Sequence, residues 1–420
     1  MNYIDLFAGA GGLSEGFVQN GFTPIAHVEM DMHASRTLQT RIAYHYLKRI
    51  GKGDIYRQYL CQEITREQLD SYIPDELKQS ILNIEISDHT IEDIFNRIDQ
   101  NLIKLGFSSV DFLIGGPPCQ AYSLVGRARD PYGKENDPRN YLYRQYVKFL
   151  SYYQPKVFVF ENVPGILTAG KGQLFQDVTG YMNEAGYQVE AKILNAADFG
   201  VLQNRKRVIL IGWRKDLTFT YPNFKVVEHS YLVEDLLKDL PALKAGEKIM
   251  IGNYRHEYPD YLKEYDIRNE EDLLTQHISR NVNGRDREIY HLAIQEWNRN
   301  QKRIRYNQLP DNLITHRNVE SFLDRFKVVC GDLAHSHTLV AHISKDGHYY
   351  IHPDEKQIRS ISVREAARIQ SFPDNYFFEG HRTAVFTQIG NAVPPIMAKS
   401  IAKSLKEQFL KLTESQYLEV

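Results

Sequence analysis

The chain has 420 residues and a formal net charge of −2, so its overall charge neither supports nor excludes a nucleic-acid partner. Hydrophobic residues make up 42% and charged residues 25%, which is ordinary for a globular protein of two or three domains. The three cysteines form no Cys-x-x-Cys pair, so neither a disulfide scaffold nor a structural zinc site is expected. No apolar stretch is long enough to span a bilayer and no signal peptide is evident. We therefore expect a metal-free protein in a reducing, cytoplasmic compartment that does not associate with a membrane.

The first fifty residues predict a strand, a glycine-rich loop and a helix. Residues 3–7 have the composition of a buried strand, and residues 8–14 (Ala-Gly-Ala-Gly-Gly-Leu-Ser) lead into a helical pattern. This order is typical of nucleotide sites, although Ser14 replaces the third glycine of the dinucleotide fingerprint and a tight turn without a ligand fits equally well. A second strand, residues 23–28, ends at Glu29, where an acidic side chain can bind ribose hydroxyls.

Residues 31–84 are polar and helical, and predict an insertion of helices with a turn at residues 74–75. A short apolar run closes at residues 85–86, a helix is expected over 90–105, and residues 110–114 have the pattern of a buried strand.

The loop of residues 115–120, Gly-Gly-Pro-Pro-Cys-Gln, follows that strand directly. Two glycines allow a sharp turn and two prolines stiffen the backbone, so Cys119 is held at the carboxyl end of a strand. A thiolate there is a candidate nucleophile, whereas a small buried thiol in a tight turn is the alternative. The glycine and charged residues of 126–133 predict a mobile lid.

Two further strands bring more polar groups to the same edge. Residues 156–160 form a buried strand that is followed at once by Glu161, and residues 208–212 form another after the sequence Gln-Asn-Arg-Lys-Arg. Arg205 and Arg207 are two positions apart on entry to that strand, so we expect them to point the same way. A solvated pair of arginines is the alternative.

The region from 214 to 358 has weak periodicity. Between Arg280 and Lys327 it carries ten Lys or Arg against six Asp or Glu, a local excess of about +4. Order returns with a capping box from Ser362 to Glu365, and residues 388–395 are expected to open the last helix.

Six stretches in this order resemble the motifs of the C5-cytosine DNA methyltransferases. They are residues 5–12 (the S-adenosyl-L-methionine loop), 117–120 (the catalytic loop), 161–163 (the acid motif), 203–207 (the arginine motif), 359–373 and 390–393. The resemblance implies an α/β fold: a doubly wound, mostly parallel sheet of the S-adenosylmethionine-dependent methyltransferase type. It also implies a catalytic domain of residues 1–213 completed by 359–420, and a smaller, irregular target-recognition domain over 214–358.

By the same resemblance, Cys119 adds to C6 of a flipped-out cytosine, Glu161 acts at N3, Arg207 holds the base and Arg205 stabilises the site beside it. Gln120, which follows Cys119 in the motif, is also expected to be a catalytic residue. The DNA contacts are expected from the lid and from the basic region: Ser123, Gly126, Arg127, Arg299, Arg303 and Arg305.

The resemblance also implies a cofactor pocket. Phe7 would pack on the adenine, Glu29 would bind the ribose, and Met30 stands where the family often has an aromatic residue. Glu85, followed by Ile86, is the candidate for the adenine amino group, with Glu63 as its rival. The remaining expected pocket residues are Ala8, Gly9, Gly11, Gly12, Leu13, Pro117, Leu142, Asn391, Ala392 and Val393.

The expected partner is double-stranded DNA, bound by a monomer. Because the chain begins almost at its first motif, we expect a compact bacterial or phage-encoded enzyme, with a restriction endonuclease as a plausible genetic companion. Three alternatives remain: a tRNA-specific member of the family, a catalytically silent DNA-binding relative and a dinucleotide oxidoreductase.

Overall fold

The structure is a computed structural model that describes residues 1–118, 142–255, 257–316, 320 and 323–418, with side chains as far as 412. Its centre is a seven-stranded sheet in the order β3-β2-β1-β4-β5-β7-β6. The strands are β1 Asn2–Leu6, β2 Thr23–Val28, β3 Ile81–Leu82, β4 Phe112–Gly115, β5 Val157–Asn162, β6 Tyr187–Asn195 and β7 Lys206–Arg214.

Five neighbouring strands of the sheet, from β3 to β5, run parallel, and β7 runs antiparallel to both β5 and β6. This confirms the predicted mostly parallel α/β sheet. The parallel strands are buried on both faces, which explains why they appear in the sequence as continuous apolar runs rather than as alternating patterns. Their carboxyl ends share one edge, so the residues that follow β1, β2, β4 and β5 come close together there.

Helices cover both faces of the sheet. They are α1 Gly12–Gln19, α2 Met32–Arg49, α3 Gly53–Leu60, α4 Arg66–Ser71, α5 Asp75–Gln79, α6 Ile91–Lys104, α7 Leu142–Tyr153, α8 Gln173–Glu184, α9 Asp260–Glu264, α10 Gly284–Asn300, α11 Val363–Ile369, α12 Arg382–Asn391 and α13 Pro395–Leu418. Short 3-10 helices span Pro164–Leu167, Ala169–Gly172, Ala196–Phe199, Val233–Leu236, Tyr306–Gln308, Asp311–Leu313 and Ala341–Ser344, and β8 Lys248–Gly252 pairs with β9 Leu274–Ile278.

Two predicted boundaries differ from the structure. Pro74 precedes the short helix α5 instead of forming a turn, because proline is favoured beside the first helical residue. Residues 388–391 end α12 rather than opening the last helix, which begins at Pro395. The capping box at α11 is confirmed: the Ser362 hydroxyl accepts a hydrogen bond from the Glu365 amide, and the Glu365 carboxylate accepts one from the Ser362 amide.

The residues of 214–358 contribute to two different hydrophobic cores. One core lies against the sheet and includes residues 219–278 together with α11, α12 and α13. The other is small and is built by α10 and by residues 306–351. The first part of this region therefore packs as an extension of the sheet domain, and the later part contributes to both cores, since Val329, Leu339, Ile343 and Tyr350 belong to the larger one.

A buried network of charges joins the two sides of that first core. Arg368 of α11 contacts Asp239 at 2.5 Å and Asp374 at 2.6 Å, and all three side chains are fully buried. Arg268 Nη1 also lies 2.6 Å from Asp239 Oδ2. Because each carboxylate is paired, the network fixes residues 236–268 against α11 without leaving an uncompensated charge.

Arg368→Leu is predicted to lower the free energy of unfolding by about 3–5 kcal/mol, because it leaves two buried carboxylates short of a partner. Lys399→Ala is the control, since Lys399 and Asp266 form a solvent-exposed pair at 3.1 Å whose loss is expected to cost about 1 kcal/mol or less. Urea denaturation of both variants measures the difference, and equal losses would contradict a structural role for the network.

Candidate active site

The loop after β1 turns through backbone conformations that favour glycine. Phe7, Gly9 and Gly11 have φ angles of 56°, 54° and 81°, and Gly11 caps α1. Phe7 adopts this conformation although it has a side chain. That side chain packs against the hydrophobic core between the sheet and the helices α6 and α7. A non-glycine residue in this region is uncommon, and such strain is often retained at ligand sites.

Glu29 braces this loop from the end of β2. Its Oε2 accepts a hydrogen bond from the Gly9 amide at 2.7 Å, and its Oε1 accepts one from the Asp31 amide at 2.7 Å. Burial raises the pKa of this carboxyl. Among the described residues no atom lies within 4 Å of the position of a Cβ on Gly9. The loop therefore forms an open cradle beside a carboxylate, which suits a ligand that carries hydroxyl groups.

Asp5 was not among the predicted site residues. It lies in β1, two residues before Phe7, and is only 1% exposed. Its Oδ2 has no hydrogen-bond partner in the part of the chain that the structure describes, and burial, followed by the charge of Glu29, raises its pKa well above the usual range. An acidic residue inside an otherwise apolar strand is the signal that could have identified it.

The C-terminal motif closes against the glycine loop. A Cβ on Gly12 would lie 2.3 Å from the Val393 carbonyl oxygen and 3.0 Å from the Ala392 Cβ, so only glycine fits there. The Tyr376 hydroxyl donates a hydrogen bond to the Ala10 carbonyl. The structure thus brings together Ala10, Gly12, Ala392 and Val393, while Leu13 packs in the adjoining core and Asn391 is exposed at the end of α12.

The predicted adenine-side residues lie around the end of β2. Met30 is 64% exposed. Glu85 is exposed and follows β3, which pairs with β2, and Ile86 is buried. Glu63 is also exposed but lies between α3 and α4 in the helical insertion. Asn83, which was not predicted, donates hydrogen bonds at 3.0 Å to the carbonyls of Glu29 and Met30 and so fixes the turn that carries them.

Glu161 and Arg207 form an ion pair at the same sheet edge. Glu161 Oε1 lies 2.7 Å from Arg207 Nε, and their side chains are 14% and 10% exposed. The antiparallel pairing of β5 with β7, which sets Glu161 opposite Ile209, brings the two side chains together. A carboxyl group and a guanidinium therefore lie side by side, and together they can form hydrogen bonds with a polar ring.

The first residues of the Cys119 loop pack on this pair. A Cβ on Gly116 would lie 2.6 Å from Glu161 Oε2, and a Cβ on Gly115 would lie 2.1 Å from the Leu6 carbonyl oxygen. The Asn162 side chain donates a hydrogen bond to the Pro117 carbonyl at 3.2 Å. Cys119, Gln120, Ser123, Gly126 and Arg127 lie outside the described residues, and Leu142 is the half-buried first residue of α7.

Arg205 lies on the same side of the sheet as Arg207, as the spacing predicted, and interacts electrostatically with Arg207 and Glu161. It is fully buried, donates hydrogen bonds to the carbonyls of Leu339 and Gly390, and burial lowers its pKa. Its place in the interior is that of a supporting residue, not of one that touches a bound base.

Arg299, Arg303 and Arg305 are exposed at the end of α10 and in the segment after it, beside the small core. Across the described residues no cluster of three or more His, Cys, Asp or Glu side chains is arranged to hold a metal. Within the same residues, no helix combines the length and apolar character needed to cross a membrane.

Comparison with known sequences assigns the family. The profile described as "C-5 cytosine-specific DNA methylase" matches residues 1–64 and 58–407. The chain belongs to this family. It is a DNA (cytosine-5)-methyltransferase, as the order of the six motifs predicted.

Two curated relatives extend the comparison to nearly the whole chain. The Type II methyltransferase M.Bpa9945I of Bacillus paralicheniformis is 44% identical over 97% of this chain and 99% of its own length. The Type II methyltransferase M.DdeI of Desulfomicrobium norvegicum is 31% identical over 97% of this chain and 89% of its own. Among solved structures, an E. coli prophage-encoded protein described as a DNA modification methyltransferase has a TM-score of 0.64 at 23% identity, covering 97% of this chain and 99% of its own, which supports the fold.

Gly116→Ala is predicted to lower the methylation rate by about a hundredfold, because the added methyl group must displace the Glu161 carboxylate. Cofactor affinity should change little, since the glycine loop is not touched. Gly180→Ala is the matched control: Gly180 lies inside α8, and no described atom lies within 4 Å of the position of its Cβ. Transfer of labelled methyl groups to DNA measures both variants, and a wild-type rate for Gly116→Ala would show that the close contact is unimportant.

Proposed function

We propose that this enzyme methylates C5 of a cytosine that is flipped out of double-stranded DNA, with Cys119 as nucleophile and S-adenosyl-L-methionine as cofactor. The observation that carries the proposal is the Glu161–Arg207 pair at 2.7 Å, against which Gly116 packs three residues before Cys119. The chemistry requires a thiolate, a proton donor and a base-holding group near one another, and these residue types meet at the sheet edge that also carries the glycine loop.

The residues around that loop fit the proposed cofactor. Glu29 has free lone pairs for the ribose hydroxyls beside the open cradle at Gly9, and the half-buried Phe7 two residues before Gly9 is assigned to the adenine. The Oδ2 atom of Asp5, which has no hydrogen-bond partner among the described residues, is available to a water or to the polar end of the cofactor. When bound, S-adenosyl-L-methionine supplies the methyl group that C5 accepts and leaves as S-adenosyl-L-homocysteine.

The protein side of the reaction follows from the chemistry of the base. C5 of cytosine is a weak nucleophile, and addition of the Cys119 thiolate to C6 makes it enamine-like. Electron density then moves towards N3, where Glu161 donates a proton or a hydrogen bond. Arg207 orients that carboxyl group and binds the base. After methylation a base removes the C5 proton, and the electrons of the C5–H bond expel the Cys119 thiolate.

Arg205 has a positioning role in this proposal, because its hydrogen bonds go to backbone carbonyls. Recognition of the DNA sequence is assigned to the part of 214–358 that has its own core, with Arg299, Arg303 and Arg305 exposed for phosphate or base contacts. Exposed cationic side chains beside a separately packed core are the features that support this assignment.

The biological setting proposed is a bacterial restriction–modification system, in which the methyl group protects DNA from a restriction endonuclease of the same specificity. The two curated relatives, which are described as Type II methyltransferases, favour it. They also favour DNA over tRNA as the substrate. Bisulfite sequencing of DNA from cells that express the protein tests the product, its position and its target sequence together, and unmethylated DNA beside methylated tRNA would refute the proposal.

Cys119→Ser is predicted to abolish methyl transfer while S-adenosyl-L-methionine still binds, because a serine hydroxyl is too weakly acidic to add to C6. A duplex with 5-fluorocytosine at the target should trap a covalent adduct with the unaltered enzyme only. Cys61→Ser, at a half-buried cysteine of the helical insertion, is the control and should remain active. Methylation by Cys119→Ser would remove this residue from the mechanism.

Glu85→Gln is predicted to raise the Kd for S-adenosyl-L-methionine about ten- to hundredfold, because the loss of one charge-assisted hydrogen bond weakens binding by about 1.5–3 kcal/mol. Glu63→Gln, in the helical insertion, should have no such effect. Isothermal titration calorimetry of the two variants decides between these candidates for the adenine amino group, and the reverse order of effects would assign the contact to Glu63.

A further inference from the structure

Three fully buried polar side chains meet between the two halves of the site. They are Gln203, Arg205 and Gln370, each 0% exposed, and together we call them the polar junction. Gln203 and Arg205 belong to the arginine motif that leads to Arg207, whereas Gln370 follows α11. Among the described residues, none of them forms a hydrogen bond with the Glu161–Arg207 pair or with the glycine loop, and only Arg205 has a role in the mechanism proposed above.

Gln203 uses both ends of its amide. Its Nε2 donates to the Ile369 carbonyl at 3.0 Å and to Gln370 Oε1 at 2.8 Å, and its Oε1 accepts a hydrogen bond from the Leu339 amide at 2.9 Å. A single side chain therefore ties the arginine motif to the end of α11 and to the segment 336–341. The backbone of that segment also pairs with residues 202–204, through the bond from the Asn204 amide to the Ser336 carbonyl at 2.9 Å.

Arg205 ties the same segment to the end of α12. Its guanidinium donates to the Leu339 carbonyl and to the Gly390 carbonyl. Gly390 itself leaves no room for a side chain, because a Cβ there would lie 2.4 Å from the Ala341 amide nitrogen. The end of α12 is consequently held at a fixed distance from the strand that carries Arg207.

Gln370 extends the junction to the cofactor loop. Its Nε2 donates a hydrogen bond to the Ala392 carbonyl, while its Oε1 accepts the bond from Gln203. Ala392 and Val393 are the residues whose atoms press against Gly12. An unbroken chain of contacts thus runs from the arginine motif, through two amides, to the wall of the glycine loop.

We propose that Gln203 and Gln370 are positioning residues, which set the glycine loop at the correct distance from the Glu161–Arg207 pair through the carbonyl of Ala392. This inference rests on the proposed function, because it assumes that the glycine loop binds the methyl donor and that the Glu161–Arg207 pair binds the base. The amides of Gln203 and Gln370 can form all their hydrogen bonds in only one relative position of the segments they join, so they fix that position. Apolar packing would tolerate small shifts between the segments. A displacement of about 1 Å between donor and acceptor can cost a hundredfold in rate.

Gln370→Met tests the proposal, because it keeps the volume of the side chain and removes both hydrogen bonds. The expected result is a Kd for S-adenosyl-L-methionine raised about tenfold and a kcat lowered about tenfold at saturating cofactor. The Kd for the cognate duplex should stay within about twofold, since within the described residues the Gln370 side chain bonds to Gln203 and Ala392 and not to α10 or the small core. Calorimetry measures the cofactor, and single-turnover methylation measures the rate.

Gln203→Met should add little to Gln370→Met in the double variant if the two amides act as one unit, because residues in one hydrogen-bond network are not additive. Asn101→Leu is the matched control. Asn101 is 2% exposed on α6 and donates a hydrogen bond to the Ile25 carbonyl at 2.6 Å, so the variant also loses a buried amide contact, but in a different part of the fold. Thermal unfolding should show a similar loss of stability for Asn101→Leu and Gln370→Met.

A wild-type cofactor Kd and kcat for folded Gln370→Met, or equal changes in Asn101→Leu, would overturn the proposal by showing that the junction serves stability alone. If Gln370→Met does not fold, Gln370→Asn replaces it, because it keeps an amide that is one methylene too short to reach both Gln203 and Ala392. Failure of the unaltered enzyme to bind S-adenosyl-L-methionine in the same experiment would instead refute the proposed cofactor, so the two failures are distinguishable.

Discussion

The close approach of Gly116 to Glu161 determines how the rest of the site is arranged. Glycine is the only residue whose backbone can lie this near the carboxylate, since a Cβ would be 2.6 Å from its Oε2. The contact holds the beginning of the Cys119 loop against the acid motif, and Arg207 holds the same carboxylate from the other side at 2.7 Å. The position of one carboxyl group thus depends on two strands and one loop, all at a single edge of the sheet.

The parallel part of the sheet explains why that edge is available. Each parallel strand ends at the same side, so Phe7, Glu29, Gly116 and Asn162 come together although they are widely separated in sequence. The antiparallel strand β7 runs in the opposite direction, so it begins at the edge where the parallel strands end. Arg207 therefore lies at the beginning of its strand and still faces Glu161, the residue near the end of β5.

Local patterns in the sequence were sufficient for β1, β2, β4, β5 and β7, but β3 (Ile81–Leu82) lies in residues expected to be helical, and α10 lies in a region without clear periodicity. Residues 110–114 were expected to form a strand, and β4 spans Phe112–Gly115; the capping box at Ser362 was found as predicted. The two-residue alternation predicted the side of the sheet on which Arg205 lies, but not that its guanidinium would be fully buried and bound to the carbonyls of Leu339 and Gly390. The contact of Val393 with Gly12 is also beyond local patterns: it joins residues some 380 positions apart, and only the resemblance to a family indicated it.

Asp5 illustrates a different limit. Its burial could be expected from its place in an apolar strand, but a sequence does not reveal whether a buried carboxyl has a partner, and that decides whether it is a structural or a ligand-binding group. The same distinction applies to the buried arginines. Arg368 has two carboxylates and serves stability, whereas Arg207 shares its carboxylate with the space in which the base is proposed to bind.

The division of the region 214–358 between two cores separates the constraints on chemistry from those on recognition. Its first part packs into the core beside the sheet and is fixed to α11 by Arg368, so changes there would be transmitted to α11 and to Gln370 after it. The part built on α10 has its own small core and exposes Arg299, Arg303 and Arg305. If this part recognises DNA as proposed, its surface can change with the target sequence, provided that the segment 336–341 keeps its contacts with Gln203 and Arg205.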